Sequence, residues 1–201
     1  MKMTGLDRVL LLITGLLAAY QIVVGVDQMS TLPIAAYTIG FGVLLVAGLL
    51  LIILGFDALD SPVVVIVSTI IPLTLSLGLV WQHLASFRTL YLLFAIISFL
   101  AVILTRSIPM QNKLPFIVIA ITHGIAGVTI FLLPIITSML GLSNPLFSLV
   151  GIGGALIGIG GLLLSFLKAG KPILSKETIL KVLPVLLLLM TAFFVAGFKY
   201  G

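Results

Sequence analysis

The sequence predicts an all-α, polytopic transmembrane helix bundle, and three observations predict it. Hydrophobic residues make up 62% of the 201-residue chain and charged residues only 7%, with a mean hydropathy of +1.45. A soluble domain carries about 25% charged residues to cover its core, so lipid must cover most of this surface. The apolar residues run continuously for about 20 at a time, enough to cross about 30 Å of hydrocarbon at about 1.5 Å per residue. A β-barrel would instead show short alternating segments. The breaks between runs are too short for a soluble domain, so residues 1–201 read as a single integral membrane domain.

The first span is expected over Val9–Val26. Lys2 and Arg8 before an apolar run with Ala18 and Ala19 resemble a signal peptide, whose removal would leave six spans. The run continues through Val23, Val24 and Val26, beyond a signal's apolar core, so an uncleaved helix is expected. The second and third spans, Ile34–Gly55 and Pro62–Gln82, are divided by a break with Asp57 and Asp60. Thr89–Leu104 follows the mildly polar His83–Arg88, and Leu114–Ile136 follows Thr105–Lys113. A Ser143-Asn144-Pro145 turn precedes Leu146–Leu167, and the basic Lys168–Thr178 loop precedes Ile179–Phe198.

Lys and Arg in short loops orient such a bundle. With the N-terminus inside, the cytoplasmic side carries Lys2, Arg8, Arg106, Lys113, Lys168, Lys171, Lys176 and Lys181, and the other side only Arg88 and Lys199. This bias requires seven spans, with the N-terminus in, the C-terminus out, and the plasma membrane as the expected location. Tyr37, Trp81, Tyr91, Phe198 and Tyr200 then fall near the outer interface, where amphipathic rings anchor. The net charge of +5 comes from scattered residues with no basic patch, which argues against nucleic acid as a partner.

One ungapped offset lays Pro33 on Pro145, Pro72 on Pro184, and Gly42 and Gly48 on Gly154 and Gly160. Two readings stand: a parallel repeat of the first three helices in the last three, or chance matching in a chain rich in Leu, Ile, Val and Gly. The 3+1+3 plan resembles, in layout, that of the SWEET sugar transporters.

Cysteine is absent, which excludes disulfides and thiolate chemistry. Asp7, Asp27, Asp57, Asp60 and Glu177 all fall at helix ends or in loops, hydrated at the interface, with no carboxylate at mid-membrane to relay an ion. There is no H-E-x-x-H motif, P-loop or Ser/His/Asp set, so no enzyme is expected.

His123 is the ionisable side chain deepest within a span, flanked by Gly124 and Gly127. Two roles fit it: a contact for haem b, quinone or a proton, or a neutral imidazole bonded to Thr122, Thr14 or a carbonyl of an adjacent helix. His83 ends the third span, about 15–20 Å away in depth at 1.5 Å per residue, too far to share one haem iron.

In the sixth span, Gly151, Gly154, Gly158, Gly161 and Ser165 recur three and four apart, a small-residue seam for close helix packing. Gly15, Ala18 and Gly25 form a milder version in the first. Pro72 and Pro184 each remove a helical hydrogen bond. Thr69, Ser76 and His83 share a stripe near Pro72 that either lines an outward polar cleft, which Gln21 and Tyr20 also face, or satisfies carbonyls freed by the kink.

Two functions follow. One is a non-catalytic membrane subunit that packs with partner helices or with itself, and takes lipid, quinone or haem. The other is a small-solute transporter or channel. Orientation is testable in this cysteine-free background. Single cysteines at Asn112 and Ser175 should resist an impermeant thiol reagent applied to intact cells, while one at Asn144 reacts. Outside labelling of Asn112 and Ser175 overturns the inside-loop assignment.

Overall fold

The computed structural model describes residues 3–26, 29–108, 110, 112–168 and 172–200, without the side chains of Ser165, Phe166 and Lys168. The expectations for Lys2, Asp27, Lys168, Lys171 and the Ser165 end of the seam lie outside these residues. Seven helices are long and apolar enough to cross a membrane. They are α1 (Gly5–Val24), α2 (Thr31–Leu54), α3 (Pro62–His83), α4 (Arg88–Ser107), α5 (Leu114–Met139), α6 (Ser148–Lys168) and α7 (Lys176–Tyr200).

Local chemistry sets their ends. Thr4 and Asp7 form a reciprocal capping box: the Asp7 amide donates to Thr4 Oγ1 at 3.2 Å and the Thr4 amide to Asp7 Oδ2 at 2.8 Å. α1 therefore starts before Val9, and Asp7 is buried rather than hydrated beside Arg8. Gly25 and Gly55 end α1 and α2 at φ 69° and 75°, conformations that β-carbon-bearing residues rarely adopt. α7 begins three residues before Ile179 because Ser175 caps it, its Oγ accepting the Thr178 amide at 3.1 Å.

Consecutive helices pack along short connections and run antiparallel. A near end holds Thr4, the 3₁₀ turn Phe56–Asp60 and Ser175; a far end holds Gly25, Leu84–Phe87 and Pro145–Phe147. At the near end Lys176 Nζ lies 3.9 Å from Asp60 Oδ2, and at the far end Lys199 Nζ donates to the Tyr20 hydroxyl at 3.2 Å. α1, α2, α3, α5, α6 and α7 close a ring in that order, α7 packing back on α1, while α4 lies outside against α3 and α5. Exchanging α1–α2–α3 with α5–α6–α7 maps every contact of this ring onto another.

The main core fills the far half. Tyr37 and Phe41 of α2 meet Phe194 and Phe198 of α7, with Tyr37 and Phe198 ring centroids 4.6 Å apart and Phe41 edge-on to both phenylalanines. Tyr37 and Phe198 thus pack inside the bundle, at 2% and 6% exposure, rather than on its lipid-facing surface. Gly78 makes the space: a Cβ there would lie 2.5 Å from the Tyr37 ring.

In lipid this packing replaces a hydrophobic drive between helices, so overfilling is costly. Gly78→Ala should destabilise by about 1–3 kcal/mol. Gly42→Ala, whose added Cβ meets nothing within 4 Å, should be neutral or stabilise by up to about 1 kcal/mol from helix propensity. Thermal unfolding in detergent measures both; equal tolerance would show that the Tyr37 ring moves aside freely.

Candidate functional site

α6 carries two rows of glycine. Gly153 and Gly160 face α7, where a Cβ on Gly153 would lie 2.7 Å from the Phe194 ring and 3.0 Å from the Met190 carbonyl oxygen. Gly197 of α7 returns the contact, a Cβ there falling 2.8 Å from the Val150 amide nitrogen. This row was missed in the sequence, where its signal was the Gly153/Gly160 spacing of two turns opposite a lone glycine on α7.

The other row is the seam read from the sequence, and only its far half is filled. A Cβ on Gly151 would lie 2.5 Å from the Phe131 carbonyl oxygen, and one on Gly154 would lie 2.7 Å from Ile130 Cγ2. α5 and α6 are in backbone contact there. Continuing the same antiparallel register places Gly127 across from Gly158 and Gly124 across from Gly161. A Cβ on any of these four would meet nothing within 4 Å. Gly124, Gly158 and Gly161 are exposed and Gly127 half-buried. The seam is filled at the far end, and its glycines are open toward the near end.

The first triplet differs at the matching level. The offset that pairs the prolines lays Gly15 on Gly127, Leu45 on Ile157, Leu11 on His123 and Gly48 on Gly160. A Cβ on Gly15 would touch Leu45 Cδ1 at 3.3 Å, one on Gly48 would lie 3.7 Å from the Leu11 carbonyl oxygen, and Leu11 is fully buried. Gly15 and Gly48 thus meet the facing helix of their pair, whereas Gly127 is open and Gly160 meets Leu186 of α7.

His123 adjoins the open glycines of α5, half-buried, with Nδ1 3.1 Å from the Ile119 carbonyl oxygen of its own helix rather than a group on a neighbour. With Nδ1–H donating there, Nε2 is left as the acceptor, the tautomer an axial metal ligand requires. Gly124 and Gly127 add no side chain to block a flat ring. Among the described residues no three His, Cys, Asp or Glu side chains gather to hold a metal ion.

The α3 stripe is not assembled with His123. Thr69 and Ser76 are fully buried and donate to carbonyls of their own helix, Thr69 to Val65 at 2.8 Å and Ser76 to Pro72 at 2.6 Å. Neither takes the Ser68 carbonyl, the one Pro72 leaves without an amide donor. His83 stacks on Phe147 at 5.1 Å at the far end, its Nε2 buried without a partner. Gln21 is buried, its amide donating to the Gly25 carbonyl at 2.8 Å, while Tyr20 is exposed beside Lys199.

The chain matches no protein-family model, no curated protein and no solved structure.

A haem on His123 has a sharp signature. Protein from haem-replete cells, extracted with its partners, would carry a Soret band that His123→Ala removes and His83→Ala retains, because the histidines differ in depth by about 18 Å. A colourless preparation removes haem from the assignment.

Proposed function

We propose that this chain is a non-catalytic integral membrane subunit that holds a transmembrane helix of another subunit in the open half of the α5–α6 seam. The observation that carries this reading is the set of four open glycines, Gly124, Gly127, Gly158 and Gly161, that continue a seam whose Gly151 and Gly154 are filled by α5. Helices associate in lipid by close approach along small residues, and an exposed glycine face offers that approach without side-chain entropy to lose. Quinone or haem against His123 is a variant of the same reading, a flat ring taking the place of the helix. The buried hydroxyls support a structural role: Thr14, Thr69, Thr105, Thr137 and Thr191 each donate to their own helix one turn back, so these five are engaged within their helices rather than offered to a solute.

A second reading, a small transporter, is favoured by the exchange pattern of the ring and by the contrast between its ends. Aromatic rings close the far half, and a cavity opens at the near end, which the charge bias assigns to the cytoplasm. Prolines stand at matching places in α3 and α7. In this reading the chain is a parallel 3+1+3 repeat and the two triplets rock against each other.

Gly158 separates the readings from a folding defect, because a side chain there meets nothing within the chain itself. Gly158→Leu should leave thermal stability of the isolated chain within about 0.5 kcal/mol and abolish its complex with a companion subunit, seen by native mass spectrometry in mild detergent. Gly154→Leu should destabilise the isolated chain by about 1–3 kcal/mol through Ile130. Leu162→Ala, on an exposed position, should alter neither. A wild-type chain that extracts alone, or a complex indifferent to Gly158→Leu, overturns the subunit reading.

A further inference from the structure

The near end holds a cavity of about 220 Å³ between the Phe56–Asp60 turn and the adjoining ends of α6 and α7. Its walls are mostly apolar, built from Phe56, Leu59, Leu164, Leu167 and Leu180, and among the described residues its rim carries the Asp60 carboxylate and the Lys176 ammonium. The turn that positions Asp60 is anchored, with Phe56 and Ala58 buried and the Ser61 amide donating to the Ala58 carbonyl at 3.1 Å. Leu180 is buried from the α7 side. The pocket is therefore a fixed feature of the fold.

Most of the lining is apolar, and the polar groups stand at the rim, so water finds few partners deep in the pocket. An acyl chain is a good occupant. The rim lies at the ends of helices long enough to span a membrane, at the level where headgroups meet hydrocarbon. Asp60 and Lys176 are 3.9 Å apart with 65% and 61% of their side chains exposed, a solvated pair that opens readily. A headgroup bearing both charges can insert between them, its ammonium on Asp60 and its phosphate on Lys176, so that neither side chain loses its counter-charge.

We propose that this cavity binds a zwitterionic phospholipid with a primary-amine headgroup, of the phosphatidylethanolamine type, one acyl chain lying against Phe56, Leu164, Leu167 and Leu180. A primary ammonium donates hydrogen bonds to a carboxylate, and a quaternary one cannot. A quaternary headgroup is held instead by a cage of aromatic faces, and Phe56 is the one ring among the described residues on these walls. An anionic headgroup would face Asp60 without a compensating charge of its own. The site shares no residue with the α5–α6 seam, so it stands or falls separately from the subunit reading.

The test is native mass spectrometry of the delipidated full chain titrated with phosphatidylethanolamine, phosphatidylcholine and phosphatidylglycerol of identical acyl chains. The first lipid bound should be phosphatidylethanolamine, preferred over phosphatidylcholine by about tenfold, the worth of one charge-assisted hydrogen bond. Asp60→Asn should abolish that preference while circular dichroism stays unchanged, and Lys176→Gln should weaken all three lipids alike. Leu167→Trp, which fills the cavity from a half-exposed position, should remove the tight adduct. If that variant fails to fold, Asp60→Asn decides alone. Equal affinity for ethanolamine and choline lipids overturns the proposal, as does preference for phosphatidylglycerol or a preference that survives Asp60→Asn.

Discussion

Backbone approach at glycine holds the second half of this bundle together. In lipid, tails are as apolar as leucine, so helices gain little from hiding side chains and much from dispersion at close range. Gly151 and Gly154 bring α6 onto α5, and Gly153 and Gly197 bring α6 and α7 onto each other, at distances where a single added methyl would strike backbone or branched side chain. The aromatic cluster of Tyr37, Phe41, Phe194 and Phe198 depends on that approach, because α7 must sit deep enough to place Phe194 and Phe198 against α2. The closure of the ring between α7 and α1 follows from the same position.

Polar groups within the bundle obey a second constraint, that every hydrogen bond be met inside the chain. The buried threonines meet it locally, bonding one turn back along their own helices, and so tie no two helices together. Tyr37 is an exception, its hydroxyl on α2 lying 3.3 Å from Gln82 Oε1 on α3, as is Tyr91, 3.3 Å from Thr129 across α4 and α5. A fold held by shape rather than by polar bridges leaves its few unmatched groups conspicuous. His83 Nε2 and Arg106 Nε are two of these, at opposite ends of the bundle.

How much of this was legible in the sequence follows from the range of each signal. Span number and approximate position are local, carried by unbroken apolar runs, and the structure holds seven helices there. The start of α1 was legible but overlooked: Thr4 and Asp7 are spaced as a capping box, yet the apolar pattern draws attention to Val9. Tyr37 and Phe198 read as interfacial because composition and position at a helix end are all that a sequence shows. Their burial depends on Gly78 and on where α7 crosses, which are tertiary facts. The seam on α6 was legible as a periodicity, while the side from which each glycine is filled was not, since Gly154 and Gly158 look alike until α5 is placed.

The difference between the two triplets bears most directly on function. Their helices pack in the same order, yet corresponding glycines face differently: Gly48 lies against the Leu11 carbonyl of α1, while Gly160 lies against Leu186 of α7. Leu11, fully buried on α1, corresponds to His123, a polar ring that bonds back to the Ile119 carbonyl and remains half exposed. Closing α5 on α6 would bury that ring's second nitrogen among glycines that offer it no donor. His123 and the open glycines lie together on α5: Gly124 and Gly127 flank the ring in sequence, and a Cβ on either would meet nothing within 4 Å.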